Sequence, residues 1–242
     1  MLAFWPALAL GSFVNVVAAR VPLRRSVVGP ASACMSCGTE LAWYDNVPLV
    51  SYLLLRGSCR TCAARISVRY PFVELATAGL VTACFVAFGV SGKALVSAFF
   101  CAVLVAISAT DLEHRIVPNR IVLPAAAIVL TAQTALHPSP EWALGALGAA
   151  GFLFLAVLVY PAGMGMGDVK LALLLGAMLG RLVGVGLMLG MIAALVPSVF
   201  LLARHGSAAR KMAIPFAPFL ALGALAALFA GQSLLDAYLS TF

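Results

Sequence analysis

Two aspartates stand where apolar runs of this sequence end or begin. Asp111 follows "CAVLVAISAT" and opens "DLEHRIVPN", and Asp168 follows Gly163, Gly165 and Gly167 at the head of "VKLALLLG". A carboxylate close to hydrocarbon is energetically costly, so such residues are candidates for a functional site. Two carboxyl groups held close together share a proton, and such a pair does general acid and base work on a peptide bond. The glycines would let backbone, substrate or another helix approach Asp168 closely.

Each aspartate taken alone also has a plain structural explanation. The macrodipole favours Asp168 if a helix begins there, and Asp111 can pair with Arg115 four positions on. The pair is harder to explain in this way, because the predicted membrane topology brings both carboxylates to one membrane face at similar depth. This coincidence favours a catalytic dyad of Asp111 and Asp168.

Four cysteines form a C-x2-C-x21-C-x2-C array within the only sizeable polar segment, Arg20 to Tyr70. A two-residue gap lets both thiolates of a pair reach one tetrahedral zinc ion, and Gly38 and Gly57 ease the turns around it. Two disulfides are the alternative, but the charge pattern places the segment in the cytoplasm, where thiols stay reduced. A zinc ion with four sulfur ligands has no open position, so its role is predicted to be structural. The predicted ligands are Cys34, Cys37, Cys59 and Cys62.

Three further polar residues fit either a structural or a functional interpretation. Glu74, in "RYPFVE", can pair with Arg69 or Lys170 or assist chemistry. Lys170 can instead reach the membrane interface along its apolar stem or tune the neighbouring aspartate. His114 can hydrogen-bond the aspartate three positions before it or lie on the surface.

The composition indicates the elements that position these residues. Hydrophobic residues make up 64% of the 242 positions and charged residues only 10%, against roughly 25% charged residues in soluble domains. The sequence therefore predicts an all-α polytopic membrane protein with about eight transmembrane helices and a small zinc-binding cytoplasmic domain between helices 1 and 2. The apolar runs are Leu2 to Ala19, Pro71 to Val90, Ala94 to Thr110, Ile121 to Leu136, Trp142 to Pro161, Val169 to Gly180, Leu182 to Ala203 and Ala213 to Leu239.

Two of these runs need comment. The first lacks a basic n-region and a small-residue cleavage site, so it is expected to be a retained helix and not a signal peptide. The sixth is short, so Arg181 marks either a tight turn between two helices or a break within one long segment, and the turn is favoured. The predicted domains are a transmembrane helix over 1–19, the zinc-binding loop domain over 20–70 and a seven-helix transmembrane domain over 71–242.

The distribution of basic residues predicts the orientation in the membrane. With the N-terminus outside, 13 of the 15 lysines and arginines fall in inner loops, and only Lys93 and Arg181 fall outside. The net charge of +7 is therefore a topology signal that also suits anionic lipid head groups, and it does not indicate nucleic-acid binding. The inner residues are Arg20, Arg24, Arg25, Arg56, Arg60, Arg65, Arg69, Arg115, Arg120, Lys170, Arg204, Arg210 and Lys211.

Five ordered motifs resemble those of the type IV prepilin peptidases, bacterial inner-membrane aspartyl proteases of the GxGD class. They cover nearly the whole chain in the order of that family. The motifs are "GSFVNVVAARVP" at Gly11 to Pro22, "CMSCGTELAWYDNVPLVSYLLLRGSCRTC" at Cys34 to Cys62, "ISVRYPFVELAT" at Ile66 to Thr77, "DLEHRIVPN" at Asp111 to Asn119 and "GMGDVKLALLLG" at Gly165 to Gly176.

The resemblance implies a catalytic role for Asp111 and Asp168, which would activate water to cleave a prepilin or pseudopilin after the glycine that ends its short basic leader. It also implies methyl transfer from S-adenosylmethionine to the new N-terminal amine, usually of Phe. No glycine-rich nucleotide fingerprint follows a strand in this sequence. The cytoplasmic loop, Glu74 included, is a candidate region for methyl transfer.

Two other classes of protein compete with a protease. A proton-coupled transporter would use the carboxylates as a relay, but they cluster at one face, and the sequence lacks the repeated halves of many transporters. A non-catalytic zinc scaffold would use the cysteine loop to recruit a partner.

Overall fold

The computed structural model describes residues 4–161, 164–206 and 214–240. Gly163, Arg210, Lys211 and the first residues of the first and last apolar runs, Leu2, Ala3 and Ala213, lie outside these residues. Within them the chain is helical and contains no strand, only two isolated bridges, which confirms the predicted fold class. The helices are α1 (Phe4–Arg20), α2 (Val50–Leu54), α3 (Arg69–Phe88), α4 (Gly92–His114), α5 (Asn119–Leu136), α6 (Glu141–Val159), α7 (Met166–Leu179), α8 (Val183–His205) and α9 (Ala217–Leu239).

Six helical stretches in the described part of the chain are long and apolar enough to cross a membrane. Helix α1 is apolar too, and its described part has 17 residues, fewer than the about 20 of a typical span. The stretches are Arg69–Phe88, Gly92–His114, Asn119–Leu136, Glu141–Val159, Met166–Arg204 and Ala217–Leu239.

The stretch Met166–Arg204 contains two helices and the turn predicted at Arg181. Helix α7 ends at Leu179, the 3-10 turn Gly180–Leu182 follows, and α8 begins at Val183. Gly180 has a φ of +53°, which favours glycine. Helix α7 packs mainly on α5 and α6, whereas α8 packs mainly on α9. The stretch is therefore two helices with different neighbours.

The chain divides into two compact units, Met1–Ala109 and Thr110–Phe242. In the first unit α1 packs along α3. A Cβ built on Gly11 would lie 2.7 Å from the Cα of Glu74, so only glycine permits this approach. Small and branched apolar side chains fill the core of the unit, namely Val14, Ala18, Val73, Ala102, Ala106 and Ala109.

In the second unit glycines bring two pairs of helices into close contact, as small residues do in membrane proteins. A Cβ on Gly176 of α7 would overlap the carbonyl group of Gly145 of α6, and one on Gly223 of α9 would overlap the backbone of Gly186 and Gly190 of α8. Helix α7 is the most enclosed element of this unit, since most of its residues after the first turn are buried. Its first turn carries Asp168.

Candidate active site and metal centre

The four predicted cysteine ligands lie together. Their Sγ atoms are all within 4.8 Å of one another, and the Sγ atoms of Cys34 and Cys62 are 3.7 Å apart. Two thiolates on one tetrahedral zinc ion lie about 3.8 Å apart, given a Zn–S distance of about 2.3 Å. The sulfur positions therefore fit a single zinc ion with four ligands.

Both cysteine pairs sit in the same kind of turn. The N–H of Cys34 donates to the carbonyl of Thr39 at 2.9 Å, and its carbonyl accepts from the N–H of Gly38 at 2.9 Å. The bonds around Cys59 have the same spacing, with partners five and four positions on. The residue after each pair has a positive φ, +73° at Gly38 and +57° at Ala63. Two equivalent turns thus present two sulfurs each to one point.

One of the thiols is set up to ionise. Hydrogen bonds with the side chain and backbone of Thr39 lower the pKa of Cys37 to about 6. A thiolate is the form that binds a metal, so this environment suits a ligand at neutral pH.

Asp111 lies in the last turn of α4 and is buried, with 6% of its surface exposed. Its Oδ2 accepts a hydrogen bond of 3.1 Å from the N–H of Ala217, the first residue of α9. The first N–H groups of a helix have no partner within the helix and carry its positive end. The start of α9 therefore anchors one oxygen of a buried carboxyl group.

Asp168 lies in the first turn of α7 and is half-buried. Its N–H donates to the carbonyl of Gly165 at 3.1 Å. Gly167, directly before Asp168, packs on Val117, six positions after Asp111. The structure therefore brings the two predicted residues into one region of the second unit.

Two contacts join the start of α7 to the chain that follows Asp111. A Cβ on Gly167 would lie 3.0 Å from the Cβ of Val117, so glycine permits close packing there. Lys170 donates from Nζ to Oδ1 of Asn119 at 2.9 Å. The segment between α4 and α5 thus packs on the helix turn that carries Asp168.

Glu74 makes a different contact from those predicted. It is buried, with 9% of its surface exposed, and its Oε2 accepts from the N–H of Leu49 at 2.9 Å. Arg69 donates to the carbonyl of Ala109 at 2.8 Å. Glu74 thereby holds the residue that precedes α2 against α3, because the carboxylate satisfies an otherwise free N–H.

Sequence reasoning missed the N–H groups of Ala217 and Leu49. A backbone donor carries no residue type, so no pattern pointed to these partners. Pro218, near the start of α9, could have indicated a helix start, but not which carboxylate it meets. His114 is partly exposed, and its Nε2 lies 3.6 Å from Oε2 of Glu113.

Comparison with known families gives two adjoining matches. Residues 6–88 match the Bacterial Peptidase A24 N-terminal domain, and residues 98–242 match the Type IV leader peptidase family. No solved structure matches the chain.

Several curated proteins resemble the chain over most of its length, and each is named Prepilin leader peptidase/N-methyltransferase. That of Bacillus subtilis (strain 168) is 36% identical, over 96% of this chain and 94% of its own. That of Myxococcus xanthus (strain DK1622) is 41% identical, over 81% of this chain and 61% of its own. That of Burkholderia pseudomallei (strain K96243) is 33% identical, over 93% of this chain and 83% of its own.

The family matches and the apolar helices agree that this is an integral membrane protein. Because the family match covers more than half of the residues and the relatives align along most of the chain, this protein belongs to the type IV leader peptidase family.

Proposed function

We propose that this protein cleaves the short basic leader from type IV prepilins or pseudopilins, with Asp111 and Asp168 as its catalytic pair. The observation that supports this most strongly is the anchoring of buried Asp111 by the start of α9, in the same region as Asp168. The names of the relatives supply the substrate class.

In this proposal the two carboxyl groups share one proton. The ionised member takes a proton from water, and the protonated member donates a hydrogen bond to the carbonyl oxygen of the scissile peptide bond. The water oxygen adds to the carbonyl carbon, the C–N bond breaks, and the new amine receives a proton. The bond from Ala217 fixes the Asp111 carboxyl group, so the water meets it in one geometry.

We place the pair at the cytoplasmic face of the bacterial inner membrane, with the N-terminus outside. The predicted distribution of basic residues supports this orientation. A prepilin has a polar leader on the cytoplasmic side and an apolar helix within the bilayer, so its cleavage site lies at the inner interface. The catalytic residues fall within the proposed transmembrane domain 71–242.

We assign the segment 20–70 to a cytoplasmic domain held by a structural zinc ion on Cys34, Cys37, Cys59 and Cys62. About 50 residues with few apolar anchors gain much of their stability from such an ion. The four sulfurs occupy all tetrahedral positions, so hydrolysis needs no contribution from this ion.

We also propose N-methylation of the new N-terminal residue with S-adenosylmethionine as the methyl donor. The relatives carry this activity in their names. The cytoplasmic loop, Glu74 included, is a candidate region for this transfer.

Mass spectrometry of a prepilin incubated with purified protein and S-adenosylmethionine tests both activities. We expect cleavage after the leader glycine and a gain of one methyl group. Asp111→Asn and Asp168→Asn should abolish cleavage, while Glu113→Gln, an exposed acid two positions from Asp111, should retain it. If the substrate stays intact with folded, zinc-loaded wild type, the protease assignment is contradicted. If it is cleaved without a gain in mass, only the methylation proposal is contradicted.

A further inference from the structure

The cysteine-containing segment exposes large apolar side chains on two elements that pack together. Trp43 is 83% exposed, and Leu53 and Leu54 are 72% and 77% exposed. The 3-10 turn Trp43–Asn46 packs on α2, and Oγ of Ser51 in α2 donates to the carbonyl of Tyr44 at 2.7 Å. We call Trp43, Tyr44, Val50, Leu53 and Leu54 the α2 surface. Exposed apolar surface of this kind marks an interaction site.

The α2 surface lies beside a helix that is long and apolar enough to cross the membrane. Leu49, directly before α2, donates to Glu74 at 2.9 Å. Glu74 is the sixth residue of α3, and five steps along a helix place it about 8 Å from the helix start. The bond therefore holds the start of α2 level with the first two turns of α3, where a bilayer interface is expected.

An open groove adjoins the start of α2 at Leu49. Its volume is about 490 Å³, and its lining includes Leu49 and the first two turns of α3. Phe72 and Leu75 expose much of their side chains there. Only one lining residue, Arg69, carries a charge. An apolar groove with a cation at its edge suits an acyl chain below an anionic head group.

The charge of the segment also fits a lipid surface. Arg20 to Tyr70 contains seven arginines and two acidic residues, a net charge of +5. A zinc ion with four thiolates carries −2, which leaves about +3 when the metal is bound. Arg56 is exposed, and Arg60 lies over the ring of Tyr44 at 5.4 Å and also pairs with Asp45 at 2.7 Å. Basic residues beside aromatic and aliphatic ones are typical of interfacial anchors.

We propose that the α2 surface is a membrane-interface anchor whose partner is the bilayer itself. Trp43, Leu53 and Leu54 insert between the head groups and the acyl chains, and the arginines face anionic phosphates. Helix α3, which follows the segment, is long and apolar enough to cross the membrane, so lipid is the nearest partner to a surface held at that level. The anchor keeps the cysteine domain against the membrane. This proposal does not depend on the protein being a peptidase.

Fluorescence quenching tests the anchor in the full-length, zinc-loaded protein. The chain has three tryptophans, so Trp5→Phe/Trp142→Phe leaves Trp43 as the only reporter. The protein is reconstituted in vesicles of phosphatidylcholine and phosphatidylglycerol whose acyl chains carry bromine at known depths. We expect shallow bromine to remove about half of the Trp43 emission, deep bromine less, and aqueous iodide little, given insertion of about 5–10 Å.

A matched pair of variants tests the surface itself. Leu53→Ser/Leu54→Ser should reduce quenching by bromolipid and increase quenching by iodide. Met35→Ser should change neither, although Met35 is 93% exposed in the same segment, because it lies outside the α2 surface. If the tryptophan variant does not fold, the difference between wild type and Trp43→Phe reports the same signal. Strong iodide quenching with no effect of bromolipid, or equal effects of both serine variants, would overturn the proposal.

Discussion

At the scale of single residues, the two carboxyl groups are held by different means. The backbone of α9 anchors one oxygen of Asp111, whereas Asp168 is positioned by the turn that opens α7 and by glycine packing on Val117. One group is thus fixed by a hydrogen bond and the other by the placement of its helix. The proposed mechanism needs both, because a displacement of about 1 Å costs an enzyme about 100-fold in rate.

The two cysteine turns differ at the position that follows the second cysteine, and this difference can be tested. Ala63 has a φ of +57° where the equivalent position of the other turn is Gly38. A left-handed conformation costs a non-glycine residue about 1–2 kcal/mol, and the entropy of glycine in the unfolded chain offsets part of this. We expect Ala63→Gly to tighten zinc binding about two- to fivefold, measured by competition with a chelator. The reciprocal control, Gly38→Ala, should weaken it, and the opposite pattern would contradict the turn geometry.

Residue types and spacing predicted the aspartates and the cysteines as site residues. A charged residue in an apolar run and paired thiols are rare where they have no structural or functional role. The same patterns did not reveal what holds them. The N–H of Leu49 donates a hydrogen bond to Glu74, and Lys170 donates one to Asn119. Such pairings depend on which helix ends meet in space, and that is not encoded in any local stretch.

At the scale of elements, close contacts between small residues position α7. Gly176 of α7 packs on the backbone of Gly145 and Ala146 in α6. Gly148, also in α6, has open space where a Cβ would be. Hydropathy predicted the helices and the turn at Arg181, because each apolar run must satisfy its backbone within itself. It did not predict that α7 and α8 have different main neighbours, since their apolar faces look alike in sequence.

A glycine-to-alanine pair tests this packing. We expect Gly176→Ala to force α6 and α7 apart and to destabilise the protein by about 1–3 kcal/mol. Gly148→Ala should be neutral or slightly stabilising, because alanine is the better helix former. The measurement is the thermal unfolding midpoint in one detergent. Equal midpoints for the two variants would show that the close contact does not exist.

Metal removal tests the cysteine domain as an element. We expect a zinc chelator to unfold the segment between Arg20 and Tyr70, because its sulfurs then lose their common partner. Limited proteolysis should cut this segment in the stripped protein and not in the zinc-loaded one, while far-UV circular dichroism keeps most of its helical signal. Protection that survives complete metal loss would show that the fold of the segment does not depend on zinc.

At the scale of the whole molecule, the account depends on topology. The proposed orientation puts the cysteine domain and the segment between α4 and α5 on the cytoplasmic side, and the connection between α3 and α4 outside. We expect a reporter that is active only in the periplasm to be active when fused after Ser91 and inactive when fused after Val117. Both positions lie outside helices. The reverse result would place the aspartates on the wrong side for a cytoplasmic leader.

The measurement that tests the central claim most directly is a double-mutant comparison of single-turnover prepilin cleavage. Wild type is compared with Asp111→Asn, Asp168→Asn and the variant that carries both substitutions, all zinc-loaded and with equal unfolding midpoints. Residues that act as one catalytic unit are not additive. We therefore predict a loss of at least about 1,000-fold for each single variant and no further loss in the double variant. A single variant that retains most of its rate, or losses that multiply, would contradict a shared-proton pair.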